Sequence, residues 1–171
     1  LKNRDAFSDL PKRHFAGLLS CQTRHAEGLL AVLSEYFGFH VEVEEFVGQW
    51  IELPQGCVCL TGRSGSELGV TTTVGSHVWD CQQKFRIIIG PLTLGEYYRM
   101  LPGGGNGARR ESLQVMVAAV RTYVGDELDW DLQLILRKEE TPRVTLGEQG
   151  LLGWTSWMPP EVVPRDPDDL I

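Results

Sequence analysis

One frame of residues occurs twice in this chain, and it restricts the possible folds more than any other feature. Residues 68–79 read LGVTTTVGSHVW and residues 146–157 read LGEQGLLGWTSW. Each is Leu-Gly, four residues, an apolar residue, Gly, three residues and Trp. A helical run precedes each frame. In the first run the apolar residues are Ala26, Leu29, Leu30, Leu33, Tyr36 and Phe37; in the second they are Leu113, Met116, Val117, Val120, Tyr123 and Val124. Both sets step i, i+3, i+4, i+7, i+10, i+11, which lines one face of an α-helix. Both runs close on Tyr-x-Gly, at Gly38 and Gly125. Glycine there accepts the left-handed conformation that caps a helix. The pattern predicts two copies of one structural unit.

The units extend on either side of these runs. Asp9-Leu10-Pro11 reads as a helix start with Asp9 as N-cap, and Phe15, Leu18 and Leu19 give that short helix an apolar side. Thr23 is placed to cap the long helix after it. The alternation Phe39-His40-Val41-Glu42-Val43-Glu44 predicts a half-buried strand, and its slip at Glu44-Glu45-Phe46 predicts a bulge or bend. A further strand is expected over residues 83–89, ended by Gly90-Pro91. Thr93 and Glu96 form a capping-box pattern that starts a second short helix. The glycine-rich break at residues 102–107 comes next, then a long helix from near Arg109. Leu128, Trp130, Leu132, Leu134 and Leu136 alternate with polar positions as a strand. The expected architecture is α+β: two similar helix–helix–strand units with mainly antiparallel strands and an extended tail. Their bounds are 9–79 and 93–157, with a connecting strand and turn at 80–92. The Pro/Asp-rich stretch 158–171 is expected to be extended or disordered on its own.

The units differ in one connection. Gly38 to Leu68 spans 30 positions, and Gly125 to Leu146 spans 21. The surplus falls most naturally within residues 54–66, where an insertion costs little and a partner contact is a reasonable expectation. Trp79 and Trp157, being repeated, are expected in the core. Trp50, beside the lengthened loop, is the better interface candidate, because Trp serves as a hot-spot anchor.

Composition narrows the function classes. The net charge of −7 argues against nucleic acid as the main partner, which needs a basic footprint. No apolar run is long enough to span a membrane, and no signal peptide is seen. The chain begins at Leu1, which suggests a fragment or a processed form. The cysteines Cys21, Cys57, Cys59 and Cys81 fit a reducing compartment. Cys57-Val-Cys59 departs from zinc-ligand spacing, and strand alternation would put both thiols on one packed face.

Catalytic patterns are thin. The glycine run 103–107 lacks the Gly-Lys-Ser/Thr of a phosphate loop. Gly62-Arg63-Ser64-Gly65-Ser66 lacks the last glycine of a nucleophile elbow. His14, His25, His40 and His77 are scattered over different elements. Asp129 and Asp131 share a strand face and are read as a solvated polar face. A small hydrolase or transferase using Ser64 or Asp129 with a histidine, and a metal module on Cys57 and Cys59, remain as alternatives. No cofactor is called for.

Taken as a set, certain residues resemble the TssG (ImpH/VasB) family, baseplate wedge proteins of the type VI secretion system. They are Ala26-Glu27-Gly28-Leu29 with Tyr36-Phe37-Gly38, then the run from Val41 through Phe46-Val47-Gly48-Gln49-Trp50. Leu68-Gly69, Val74-Gly75-Ser76-His77-Val78-Trp79-Asp80, Lys84-Phe85-Arg86-Ile87, Gly90-Pro91-Leu92, Tyr97, Leu101-Pro102-Gly103-Gly104, Glu127-Leu128-Asp129 and Leu152-Gly153-Trp154-Thr155-Ser156-Trp157 complete it. The chain resembles the C-terminal half of such proteins. The resemblance implies a non-enzymatic scaffold in the bacterial cytoplasm, assembled at the inner face of the cell envelope. It further implies a wedge that joins two copies of TssF and engages TssK trimers through protruding loops, with TssE and the VgrG hub as further neighbours. The length comparison makes Trp50, Pro54, Gln55, Gly56, Arg63 and Ser64 the candidate TssK contact. Pro159 and Pro160, in the tail, are candidates for an extended-arm contact to TssF.

Overall fold

Helix–helix contact in this protein is set by small local choices that the computed structural model makes visible for residues 6–59, 67, 69, 75–102, 111–142, 153–157 and 165–171. The chain opens with α1 (Asp9–His14) and α2 (Ala16–Ser20), two short helices meeting at Phe15. The cap of α1 is Ser8, so Asp9 is the first helical residue instead of the N-cap. Its carboxylate then sits in the first turn, where the helix dipole favours it. The long helix α3 (Ala26–Phe37) is preceded by His25, and Thr23 does not cap it. Arg24 explains the gap between α2 and α3. Its guanidinium donates to the carbonyls of Leu18 and Leu19 at 2.8 and 2.7 Å, closing the end of α2 in that linker. Gly38 ends α3 at φ 72°, its amide donating to Ser34 O.

Then come β1 (Val41–Glu44), β2 (Gln49–Glu52), β3 (His77–Asp80) and β4 (Lys84–Leu92). The second half supplies α4 (Leu94–Met100), α5 (Glu111–Val124), β5 (Asp129–Leu136) and a 3-10 turn (Lys138–Glu140). The capping box forms as expected: Thr93 accepts from the Glu96 amide, and the Glu96 carboxylate accepts from the Thr93 amide at 2.8 Å. These bonds from the Thr93 side chain and backbone hold the Glu96 carboxyl below its ordinary value. Gly125 ends α5 at φ 90°, its amide donating to Arg121 O.

One sheet has strand order β1-β4-β5 and another pairs β2 with β3. β1–β4 and β2–β3 are antiparallel, whereas β4–β5 is parallel. The parallel pair results from the intervening α4 and α5, since a crossover through helices returns the chain in the same direction. β4 is therefore the central strand, and it continues through Gly90-Pro91 to Leu92 instead of stopping there. A register shift between Ile89 and Leu92 accommodates the pair, whose peptide bond is cis. A side chain at position 90 would strike the β5 backbone at Ile135 O, which demands glycine.

The core lies between this sheet and helices α3 and α5. Leu29, Val32 and Leu33 of α3 and Met116, Ala119, Val120 and Tyr123 of α5 are buried against Val41, Ile87, Ile89, Leu134 and Leu136. The buried stripe of α3 is rotated from the expected one: Val32 joins it, and Tyr36 lies 37% exposed. Gly28 makes the helix crossing possible. A methyl there would collide with the Tyr123 hydroxyl, which donates to His25 O at 3.2 Å. Among the described residues no helix is long and apolar enough to cross a membrane. Residues 165–171 lie along β5, with Leu170 bridging Leu134, so this part of the tail is ordered against its own chain.

Candidate interaction site

Where β1 ends, the chain turns sharply at Phe46, a non-glycine residue at φ 60° that is 72% exposed. Such a conformation is unusual for an aromatic residue, and hydrogen bonds from its neighbours hold it. The Val47 amide donates to Lys84 O at 2.9 Å, and Gln49 Nε2 donates to Asp129 Oδ2 at 3.3 Å. These bonds tie the start of β2 to β4 and β5. The chain then leaves the main sheet as a two-stranded ribbon, with Trp50 opposite Trp79 and Ile51 opposite Val78. The ladder closes with Leu53 N donating to Ser76 O at 2.8 Å.

Strand alternation puts Trp50, Glu52, His77 and Trp79 on one face of this ribbon. The indoles of Trp50 and Trp79 meet edge to face at 5.3 Å and 67°, and remain 66% and 53% exposed. Gly48 makes room for this arrangement: any Cβ there would lie within the Trp79 ring. The expectation of a core Trp79 therefore fails. Among the described residues no second layer covers this two-stranded ribbon, and the repeated Trp79 is an outward one. Trp157 does pack on the core, with its ring 5.4 Å from Tyr97.

Of the remaining candidates, three are described, and they follow β2 directly. Pro54, Gln55 and Gly56 continue from β2 into a turn closed by Cys57 N donating to Pro54 O at 2.8 Å. Cys57 is exposed in that turn, so it and Cys59 are not alternating strand residues. Chain reversal by Pro54 and Gly56 outweighs the strand reading of Cys-Val-Cys. Arg63, Ser64, Pro159 and Pro160, most of the two Leu-Gly frames and the glycine run lie outside the described residues.

Behind the ribbon, the polar face of the sheet is an ion-pair cluster, not the solvated surface expected. Asp131 accepts from Arg86 Nε and Nη2 at 2.7 and 3.1 Å, and lies 2.9 Å from Lys84 Nζ. Burial pushes the Asp131 carboxyl upward, but the bonds from Arg86 and Lys84 prevail and hold it below its usual range. The same bond to Asp131 raises the Arg86 guanidinium. Both oxygens of Asp131 are committed to cations, which suits a structural clamp better than proton transfer. Asp129 accepts from Gln49 at the start of β2. His77 Nδ1 lies 2.9 Å from Ser76 Oγ, while His14 and His40 contact Glu35 and Glu42. Among the described residues no group of three His, Cys, Asp or Glu side chains is placed to hold a metal ion.

Sequence reasoning missed that Trp79 is exposed and paired with Trp50. The signal was present in Ser76-His77-Val78-Trp79-Asp80, a short alternation that can pair with Gln49-Trp50-Ile51-Glu52. The repeat frame masked it by suggesting equivalence with Trp157.

The family described as "Type VI secretion, TssG" matches residues 1–159. A search of curated proteins gives no match. Among solved structures, a chain of the cryo-electron microscopy structure of the type VI secretion system TssK-TssF-TssG baseplate subcomplex is similar, with a TM-score of 0.67 at 22% identity. The match covers 91% of this chain and 64% of that one. At this identity it is a likeness of fold.

Proposed function

The chain belongs to the TssG family of type VI secretion, and from that premise we propose that it is a structural subunit of the baseplate wedge that works by binding and not by turnover. In this reading the β2–β3 ribbon and residues 54–66, which follow β2 in the chain, dock TssK. The sheet-and-helix body holds the copies of TssF. The stretch carrying Pro159 and Pro160 serves as an arm toward TssF. TssE and the VgrG hub are further neighbours in the assembled particle, which forms at the inner face of the cell envelope.

The Trp50–Trp79 pair carries this proposal. Two indoles held edge to face in solvent are costly to leave uncovered, and Trp at the centre of a desolvated patch is a common hot spot. A seat for one of them at Gly48 and an aromatic partner for the other keep both preorganised, which lowers the entropic cost of docking. The fold likeness to a chain from a TssK-TssF-TssG subcomplex supports the choice of partners.

The test is deletion of residues 55–66, then co-purification with TssK and, separately, with TssF. Loss of TssK with TssF retained is the expected result. Retention of both shows that the lengthened connection is not the contact.

A further inference from the structure

We propose that residues 165–171 act as an edge cover for β5, keeping the chain from pairing strand to strand with a second copy of itself. β5 is the outer strand of the three-stranded sheet. Asp129 and the residues in step with it turn their amides toward β4, as in Asp129 N donating to Gln83 O. The alternate set, including Leu134 and Leu136, turns outward. There the C-terminal segment meets it. Leu134 N donates to Leu170 O and Leu136 N to Pro167 O, both at 3.1 Å.

Three contacts outside the ladder hold the segment in place. Gln133 Nε2 donates to Asp168 O at 2.7 Å, the Lys138 amide to Asp166 Oδ1 at 2.9 Å, and Trp157 Nε1 to Asp169 Oδ1 at 3.3 Å. Leu170 also packs against the core. The covering segment is itself a poor template for further pairing. Pro167 has no amide hydrogen to offer, and Asp166, Asp168 and Asp169 make the segment acidic. Proline and charge are the usual means of blunting a sheet edge.

The composition of β5 explains the need. Leu132-Gln133-Leu134-Ile135-Leu136 has no charge, glycine or proline, as is typical of a segment that pairs readily with its own kind. A second copy is the occupant to expect on the bare edge, because two identical edges can pair antiparallel about a two-fold axis. The segment's single β-bridge to β5 makes it a strap and not a full strand.

The test compares the 171-residue chain with a version lacking residues 165–171. Both are monitored by sedimentation over a concentration series and by amide hydrogen exchange at Leu134 and Leu136. Protection of these amides in the intact chain, with concentration-dependent self-association that regains their protection in the shortened one, is the expected outcome. A second variant, Asp166→Ala with Asp169→Ala, loosens the strap without removing any core side chain. It should strengthen self-association about tenfold relative to the parent. Equal self-association of parent and folded double variant, or rapid exchange of both amides in the intact chain, overturns the proposal.

Discussion

Helices α3 and α5 end in the same way and lead into the same kind of strand, yet they treat their surroundings differently. Positions 87 residues apart correspond: Leu29 with Met116, Val32 with Ala119, Leu33 with Val120, and Gly38 with Gly125. All of the apolar members are buried, and both glycines adopt a left-handed cap. The same offset brings Glu44 of β1 and Asp131 of β5 to either side of Arg86, each in register with it. The differences begin at Tyr36, 37% exposed, against Tyr123, 2% exposed. Beyond β1 the first half sends out a ribbon with two exposed indoles, whereas the second half folds Trp157 back onto Tyr97. The likeness is therefore confined to what builds the core, and the divergence to what faces outward. On the proposed function, the outward divergence of the first half is the part a partner would contact, while both halves build the core.

Substitutions at corresponding positions measure how far the two halves are alike. The largest effect is expected in the shared core. Leu29→Ala and Met116→Ala should each cost about 3 kcal/mol in urea unfolding, since each removes most of a buried side chain and leaves a cavity. A cost below about 1 kcal/mol at one position only would show that the halves do not share the core as equals.

Next are the two repeated tryptophans. Trp157→Ala is expected to lower stability by about 2 kcal/mol through lost packing on Tyr97, and Trp79→Ala by less than about 1 kcal/mol because its ring is already in solvent. Thermal unfolding of the two variants separates a core Trp from a surface one, and equal shifts would erase the distinction.

The two carboxylates beside Arg86 give the finest contrast. Asp131 is 18% exposed and bidentate, while Glu44 is 55% exposed and 4.0 Å away. Asp131→Asn should cost about 2 kcal/mol near neutral pH and Glu44→Gln under about 0.5 kcal/mol. The pH dependence carries a sign. The folded-state pKa of Asp131 lies below its ordinary value of 3.8. Its stabilising contribution is thus present above that value and disappears as the pH falls through the lower folded one. The gap between parent and Asp131→Asn should accordingly close in acid, which denaturation curves at several pH values will show.

Much of this organisation was legible in the chain itself, for physical reasons that differ by element. The 3.6-residue spacing located α3 and α5, since a helix buries one face. Thr93 and Glu96 marked the start of α4, because a capping box is a local interaction. Long-range partners were not legible. Nothing in the neighbourhood of Arg24 shows that it, and not Thr23, closes the gap before α3. Residues 83–92 gave no sign that they would be the central strand, with an antiparallel neighbour on one side and a parallel one on the other. At the candidate site the place of Trp50 beside a lengthened connection pointed to an outward ring, and its ring is exposed. The exposure of Trp79 was not legible, because the repeat frame reports sequence likeness and says nothing about which copy has a second layer to pack against. Asp131 looked like a solvated residue until β4 brought Lys84 and Arg86 alongside it.

On the proposed function the exposed indole pair binds a partner and does little for stability. Replacing Trp50 and Trp79 together with alanine, then measuring TssK binding and the melting temperature of the same preparation, tests it most directly. Binding weakened by at least about a hundredfold, with a melting temperature within about 4 °C of the parent, is the predicted result. Unchanged binding by a folded double variant would contradict it.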